Sequence, residues 1–415
     1  MTLLADLLST VFERRYGAPI LRNLGSRPLE DLATELVGSA GETSGLSMAG
    51  EIVSRFETLN DAEKFRFFEH LATAMNIDPN AVRYTLERYE NDPSKASYRA
   101  YMAASEPPRQ ELIRRLNRVP GATGALVRMR ADLLRLGRHD PELQALDLDF
   151  RHLFASWFNR GFLVLRPISW ESPAHILEKI IAYEAVHAID SWDDLQRRLA
   201  PVDRRCFAFF HPSMPDEPLI FVEVALTKGV PGSIQDLLAE DRAALPAEDA
   251  DTAVFYSISN CQAGLASISF GSSLIKQVAS DLSMELAGLK TFVTLSPIPL
   301  LTRWLEAQDI PDDDPTRIKG LAAYYLLHAK SQDGAPYDPV ARFHLGNGAI
   351  VHAVHAGADI SQKGQAQSGG MMVNYLYDLK KVAQNHERFA TTQTVTSSSE
   401  VKSLADTTAK QMPKE

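Results

Sequence analysis

The sequence predicts two domains of different class, an α-helical bundle on the N-terminal side and an α/β domain after it. Three observations predict this. Apolar residues recur at spacings of three and four from Leu3 to about Arg160, the period of a helix with one buried face. At Gly161 that period breaks, and short apolar runs begin to alternate with capped helical stretches, as in a sheet with helical crossovers. The chain has 415 residues, more than one hydrophobic core ordinarily organises.

In the first domain, residues 1–160, Leu4, Leu7, Leu8, Val11 and Phe12 share one helical face, and Ile52 with Phe56, then Phe65, Phe68 and Leu71, repeat the period. Asn60 with Glu63 three residues later is a capping box, and Asp78-Pro79 is an N-cap followed by proline at the first helical position. Pro107-Pro108 and Pro120-Gly121 are stops. Seven arginines from Arg114 to Arg138 read as charges on solvated helix faces. Nothing here has a catalytic pattern, so the domain is expected to support or oligomerise the other.

In the second domain, residues 161–385, the strand candidates are Phe162–Leu165, Cys206–Phe210, Leu219–Leu226, Thr252–Ser259, Thr291–Leu295 and Ala349–His355. Ser172-Pro173, Ser191 with Asp194 and Ser233 with Asp236 are helix starts, and a long helix is expected over Ala266–Leu286. The unit of interest is strand, loop, helix, strand from Thr252 to Leu295. A right-handed crossover puts the loop Asn260–Ala266 and the start of its helix at one end of the sheet, where unpaired amides can face an anion. Gly264 is also what any tight connection wants. The remaining residues, 386–415, form the tail; from about Thr391 the chain loses its aromatics, with ten serines and threonines between Thr391 and Glu415. Such a segment has too little apolar surface to offset its ordering entropy and is expected to be a disordered tail.

Composition narrows the function. A formal charge of −10 argues against nucleic acid as the main partner. The N-terminal run contains Asp6 where a signal peptide needs unbroken apolar residues. No stretch approaches the ~18 apolar residues of a membrane span, so a cytoplasmic protein with no membrane contact is expected. Cys206 and Cys261 are the only cysteines, which excludes a disulfide framework or a four-cysteine metal site. Gly-x-Ser-x-Gly, His-Glu-x-x-His, Walker A and Cys-x-x-Cys patterns are absent.

Two short stretches stand out, Leu295-Ser296-Pro297-Ile298-Pro299 and Phe343-His344-Leu345-Gly346-Asn347-Gly348. Both read as irregular backbone, where functional side chains tend to sit. Taken alone, Ser296 is equally a turn or cap residue, His344 a packed histidine, and Tyr375 and Tyr377 two faces of a strand or helix start. With Phe255-Tyr256-Ser257-Ile258-Ser259 upstream and Met372-Val373-Asn374-Tyr375-Leu376-Tyr377 downstream, their order and spacing resemble the malonyl-CoA decarboxylase family. The likeness runs from about Ile168 to Leu379, roughly half the chain.

The resemblance implies a GNAT-like catalytic domain in which the loop Asn260–Ala266 looks like a degenerate acyltransferase pyrophosphate loop. Substrate contacts are then expected from Ser259, Asn260, Gln262, Gly264, Ala266 and Asn374. It further implies catalysis by His344 at the thioester oxygen and in proton transfer, by Ser296 at the carboxylate, and by Tyr377 through supporting hydrogen bonds. Malonyl-CoA would be the substrate, no metal or organic cofactor would be needed, and the protein would be a homo-oligomer, dimer or tetramer. One departure is Ile268-Ser269-Phe270-Gly271, where the family pattern has a glutamate before Leu-Gly; either the supporting network is neutral here, or another acid such as Asp359 supplies the charge. The C-terminal residues are not a peroxisomal Ser-Lys-Leu. His187 and His211 also match the family without an evident role. The rival readings are an acyl-CoA-dependent acyltransferase on the same fold and a non-catalytic acyl-CoA-binding regulatory protein.

Overall fold

The computed structural model describes residues 24–39, 41–268, 274–310 and 314–412; the helix expected over Leu4–Phe12 lies outside them. The chain forms two compact units. One runs to Phe158 and also takes in Gln262–Ile268; the other comprises Asn159–Cys261 and Ser269–Glu415.

Among the described residues the first unit is helical: α1 (Leu29–Gly38), α2 (Glu42–Thr58), α3 (Asp61–Thr73), α4 (Pro79–Asn91), α5 (Lys95–Ser105), α6 (Pro108–Leu116), α7 (Ala122–Leu136) and α8 (Pro141–Trp157). The caps form as the sequence implies, with both halves of the Asn60–Glu63 box closed and Asp78 accepting from the Asn80 amide. The core is Leu32, Ile52, Phe56, Phe67, Phe68, Leu126 and Phe150, with the Phe56 ring 5.5 and 5.4 Å from those of Phe67 and Phe68. Arg130 departs from the expected solvated face. It is only 1% exposed, forks onto Asp147, and donates to the carbonyls of Gly264 and Ala266 at 2.7 and 3.0 Å.

The second unit is built on an eight-stranded sheet of order β1-β2-β3-β4-β5-β8-β6, with β7 also paired to β8. The strands are β1 (Val164–Ile168), β2 (Arg204–His211), β3 (Met214–Thr227), β4 (Thr252–Asn260), β5 (Thr291–Thr294), β6 (Ser296–Pro297), β7 (Ile350–His355) and β8 (Met372–Leu376). The first four pair antiparallel, β4 and β5 parallel, and β8 runs antiparallel to β5, β6 and β7. The helices are α9 (Ala174–Tyr183), α10 (Trp192–Leu199), α11 (Ile234–Leu238), α12 (Leu274–Glu285), α13 (Leu301–Ala307), α14 (Pro315–His328), α15 (Pro339–Gly346), α16 (Gln362–Ser368), α17 (Val382–Thr392) and α18 (Ser399–Ala409). Ile176, Leu177, Ile180, Leu195 and Leu199 pack with Cys206, Ala208, Phe210 and Phe221 in one core; Ala225, Val254, Tyr256, Val293, Leu295 and Met372 form another. The expected fold class, a helical N-terminal part followed by an α/β part, is the one observed.

One feature of the sheet opens the site. The parallel pairing of β4 with β5 ends at Phe255↔Thr294, and the Leu295 amide makes one more bond to the Phe255 carbonyl. The chain then leaves β4 and pairs with β8 through Ser296↔Val373. From Tyr256 to Asn260, β4 continues on β3 alone. A register shift between Glu223 and Val224 makes Tyr256 the extra residue of a bulge, which sharpens the local twist.

Three expectations are corrected. The gap left between the strands expected at Cys206–Phe210 and Leu219–Leu226 is shorter, because β3 already begins at Met214. The helix expected from Ala266 begins, among the described residues, at Leu274, and Ala263–Leu265 is a single 3-10 turn instead. The tail expected to be disordered forms α17 and α18. In α18 Val401, Ala405 and Thr408 are buried on α14, where Gly320 admits the Thr408 hydroxyl, an added Cβ lying 2.4 Å from it. Few apolar residues suffice because α14 and β7 supply the other half of the surface. Ser398 also bonds the Val351 and His352 carbonyls. Deleting residues after 397 is therefore expected to remove at least about 2 kcal/mol of stability from the lost Val401 and Ala405 burial. A melting curve of the truncated chain unchanged from wild type would contradict that packing.

Candidate active site

The cavity left by the parting of β4 and β5 has a volume of ≈ 250 Å³. Its floor is β4 from Phe255 to Asn260 and Ile220 of β3; its opposite wall is Ser296 and Pro297 of β6 with Pro339, Val340, Phe343 and His344 of α15. Val186 closes one side. Among the described residues, no lysine or arginine lines it.

His344 does not sit on irregular backbone but in the last turn of α15. The signal that escaped the sequence reading is Asp338-Pro339, an N-cap with proline at the first helical position. Asp338 accepts from the Val340 and Ala341 amides, each at 2.9 Å, and burial pushes its carboxyl up to about 6. At the other end the helix is tied to α17: His386 Nδ1–H donates to the Gly346 carbonyl at 2.6 Å and the Asn385 amide to that of Gly348 at 3.2 Å. Gly348 has φ 87°, and a Cβ there would lie 2.1 Å from the Val382 carbonyl oxygen, so no side chain fits.

Ser296, His344 and Tyr377 converge. The Ser296 hydroxyl donates to Thr294 Oγ1 at 2.8 Å, and its oxygen lies 3.2 Å from His344 Nε2. Tyr377 Oη is 2.8 Å from His344 Nδ1. With the serine proton committed to Thr294, the network assigns the imidazole proton to Nε2 and makes Nδ1 the acceptor from the phenol. All three side chains are buried. Burial drives the imidazole down to about 3, so the ring is neutral near pH 7. The same burial holds the Tyr377 phenol well above its ordinary value.

Tyr375 and Thr294 belong to this site although the sequence reading gave them no role. The Tyr375 ring stacks on His344 with centroids 4.5 Å apart and planes 23° apart. Thr294 Oγ1 also accepts from the Tyr375 amide at 3.1 Å, which ties β5 to β8 beside the histidine. The acid expected to compensate for Ser269 does not reach His344: Asp359 accepts from Gln235 and from the Ser361 amide. Ser269 itself lies outside the described residues.

The expected substrate-binding residues divide. Asn260 lines the cavity. Gln262, Gly264 and Ala266 lie in the segment grouped with the helical unit, where a Cβ on Gly264 would come 1.8 Å from the Val127 carbonyl oxygen. Close packing on α7 is thus sufficient reason for that glycine. Ser259 is committed to the Glu184 carboxylate and the Ala185 amide at 3.3 and 3.2 Å. Asn374 donates to the Thr294 and Pro231 carbonyls and meets His355 Nε2 at 2.5 Å, cross-linking β8 rather than lining the cavity. Cys261 is buried, and burial raises its thiol, as a packing residue requires. Among the described residues, no group of three or more His, Cys, Asp or Glu side chains could hold a metal ion. No helix among them is long and apolar enough to cross a membrane.

Comparison with known proteins identifies the family. Residues 75–158 match the malonyl-CoA decarboxylase N-terminal domain, and residues 161–316 and 312–415 match its C-terminal domain. A goose protein (Anser anser anser) named malonyl-CoA decarboxylase, mitochondrial, is 34% identical over 347 residues, 71% of this chain and 68% of its own. The rat protein of that name is 33% identical over 349 residues, 71% of this chain and 70% of its own. The crystal structure of malonyl-CoA decarboxylase from Agrobacterium vitis superposes with a TM-score of 0.87 at 48% identity, covering 91% of this chain and all (100%) of the other. That from Rhodopseudomonas palustris gives 0.85 at 46% identity, with 90% and 98% covered. The chain belongs to the malonyl-CoA decarboxylase family.

Proposed function

We propose that the protein converts malonyl-CoA to acetyl-CoA and CO2 through a thioester enolate. The observation that carries this is the hydrogen-bonded chain Tyr377–His344–Ser296, which ends with His344 and Ser296 on a cavity of largely apolar lining. Breaking the bond between C2 and the carboxylate sends its electron pair into the thioester carbonyl. The site must then stabilise an oxyanion and return one proton to C2.

His344 is suited to the first task as a neutral donor through Nε2–H, and preorganised donors of this kind are worth about 3–4 kcal/mol. Ser296 orients the carboxylate when its hydroxyl turns from Thr294 to the substrate. A lining that among the described residues carries no lysine or arginine leaves that carboxylate poorly solvated while its charge is lost to CO2, so the ground state is not overstabilised. For the second task, C2 takes the Nε2 proton as Nδ1 takes the Tyr377 proton, and the phenolate is reprotonated from solvent. An enolate carbon is far more basic than a phenolate, so the relay runs downhill. Tyr377 thus acts through His344. No metal or organic electron sink enters these steps.

His344→Asn and Ser296→Ala are expected to lower kcat and kcat/KM together by roughly 10²–10³-fold, and Tyr377→Phe by roughly 10²-fold. Steady-state CO2 release from malonyl-CoA without any acceptor, alongside calorimetric binding of a nonreactive analogue, measures this. A folded His344→Asn variant with near wild-type turnover would sink the assignment; acyl transfer to an added amine without CO2 release would favour the acyltransferase reading.

The neutral imidazole has a signature in stability. Its folded value, about 3, lies below the ordinary 6.5, so below pH 6.5 the unfolded chain takes up a proton that the folded chain refuses, and stability falls as pH falls. Between pH 7 and pH 5 the difference in unfolding free energy between wild type and His344→Asn is expected to move by about 2 kcal/mol in favour of the variant. A constant difference would mean that His344 titrates normally.

The helical unit's role in assembly belongs to the same proposal. Helix α4 buries no residue, and α5 buries only Ser97. Tyr84 is 61% exposed, and Tyr98 and Met102 are each 50% exposed, an apolar face that a second copy would cover. Sedimentation should show a dimer or tetramer that Tyr98→Glu with Met102→Glu converts to monomer; a monomeric wild type would contradict it. A cytoplasmic location also remains part of the proposal, supported by two cysteines in the free state.

A further inference from the structure

Among the described residues, Val186 is the one cavity-lining side chain on irregular backbone; the others lie on β3, β4, β6 and α15. The strap that carries it, Glu184–Ala188, is pinned at almost every peptide group. Lys363 Nζ donates to the Ala185 and Val186 carbonyls at 2.5 and 3.2 Å. Arg198 donates to those of His187 and Ala188 at 2.8 and 2.9 Å. The Glu184 carboxylate accepts the Val186 and His187 amides, each at 2.8 Å, and Ser259 accepts that of Ala185 at 3.2 Å. Glu184 in turn is bonded to β4 by the hydroxyls of Ser257 and Ser259 at 2.6 and 3.3 Å. A loop usually moves aside for a bulkier ligand; this one is tied to the strand that forms the cavity floor.

We propose that this strap is the selectivity wall of the acyl pocket: Val186 excludes thioesters carrying a substituent on C2, and Glu184 is the positioning residue that holds it in place. The inference rests on the decarboxylase reading above. Among the described residues, the cavity's lining offers no charged side chain with which to tell one malonyl thioester from another, since all share the same carboxylate and carbonyl. Discrimination between them must come from shape. A rigid apolar wall resolves one additional carbon by about 10–200-fold, provided that it cannot retreat, and the hydrogen bonds along the strap hold it there.

The test is the ratio of kcat/KM for malonyl-CoA to that for 2-methylmalonyl-CoA, offered as both epimers. Wild type is expected to favour malonyl-CoA by roughly 10–200-fold. Val186→Ala should narrow the ratio about tenfold or more, and Val186→Leu should widen it. Glu184→Ala should narrow it too, because the strap loosens. A fold defect lowers both substrates alike and leaves the ratio unmoved. Should Glu184→Ala not fold, Lys363→Met loosens the strap from its exposed side. An unchanged ratio in Val186→Ala overturns the wall, and an unchanged ratio in both strap variants overturns the role of Glu184. A wild-type protein that releases no CO2 from malonyl-CoA overturns the decarboxylase reading itself.

Discussion

The structure depends on keeping one uncharged imidazole in one orientation inside a dry site. His344 is held by a phenol on Nδ1, a serine at Nε2 and an aromatic ring against its face. Removing any of these contacts would leave a buried polar group unsatisfied or a ring free to turn, and each such loss costs about 1–3 kcal/mol. The helix that carries the histidine is fastened at both ends, by the buried Asp338 cap and by His386 and Asn385 of α17. The C-terminal helices are therefore part of the scaffold that holds His344. Their scarcity of large apolar residues, Phe389 being the one aromatic of α17 and α18, conceals this, because they complete a core whose larger residues lie elsewhere.

The second constraint is the sheet. A parallel pair that stayed zipped would leave no room for a ligand. Here β5 abandons β4 after Leu295, and Ser296 passes to β8, so the backbone rearrangement that opens the cavity also places the serine on its wall. The two prolines after Ser296 suit that exit, since neither can donate to a ladder. Polar groups around the opening, half-buried Glu184 with buried Ser257 and Ser259 and buried Asn374 with Thr294, stitch the surrounding structure together. They give the cavity a shape that apolar packing alone would leave soft.

Much of this was legible in the chain itself. Caps at Asn60, Asp78, Ser191 and Ser233 form as their spacing implies, because a cap is closed by residues two or three positions away. The change of period at Gly161 marks the passage from helices to sheet. Ser296, His344 and Tyr377 were recognisable by motif. What was misread depended on distant partners. Gly264 looked like a ligand-loop glycine and is required by the Val127 carbonyl on α7; Arg130 looked solvated and is buried under the same loop.

By itself, then, the sequence determined the fold class, the helix boundaries set by caps, and the family with its serine, histidine and second tyrosine. Those follow from local chemistry, periodicity and motif, which need no knowledge of what lies across the core. Only the tertiary structure decided that His344 is neutral and carries its proton on Nε2, that Tyr375 clamps it, and that Ser259 and Asn374 serve the framework. It also decided that the final helices are ordered. The reason is that Ser296 meets His344 across 48 residues and His344 meets Tyr377 across 33; protonation, tautomer and burial are properties of those encounters, and they exist only once the chain has folded.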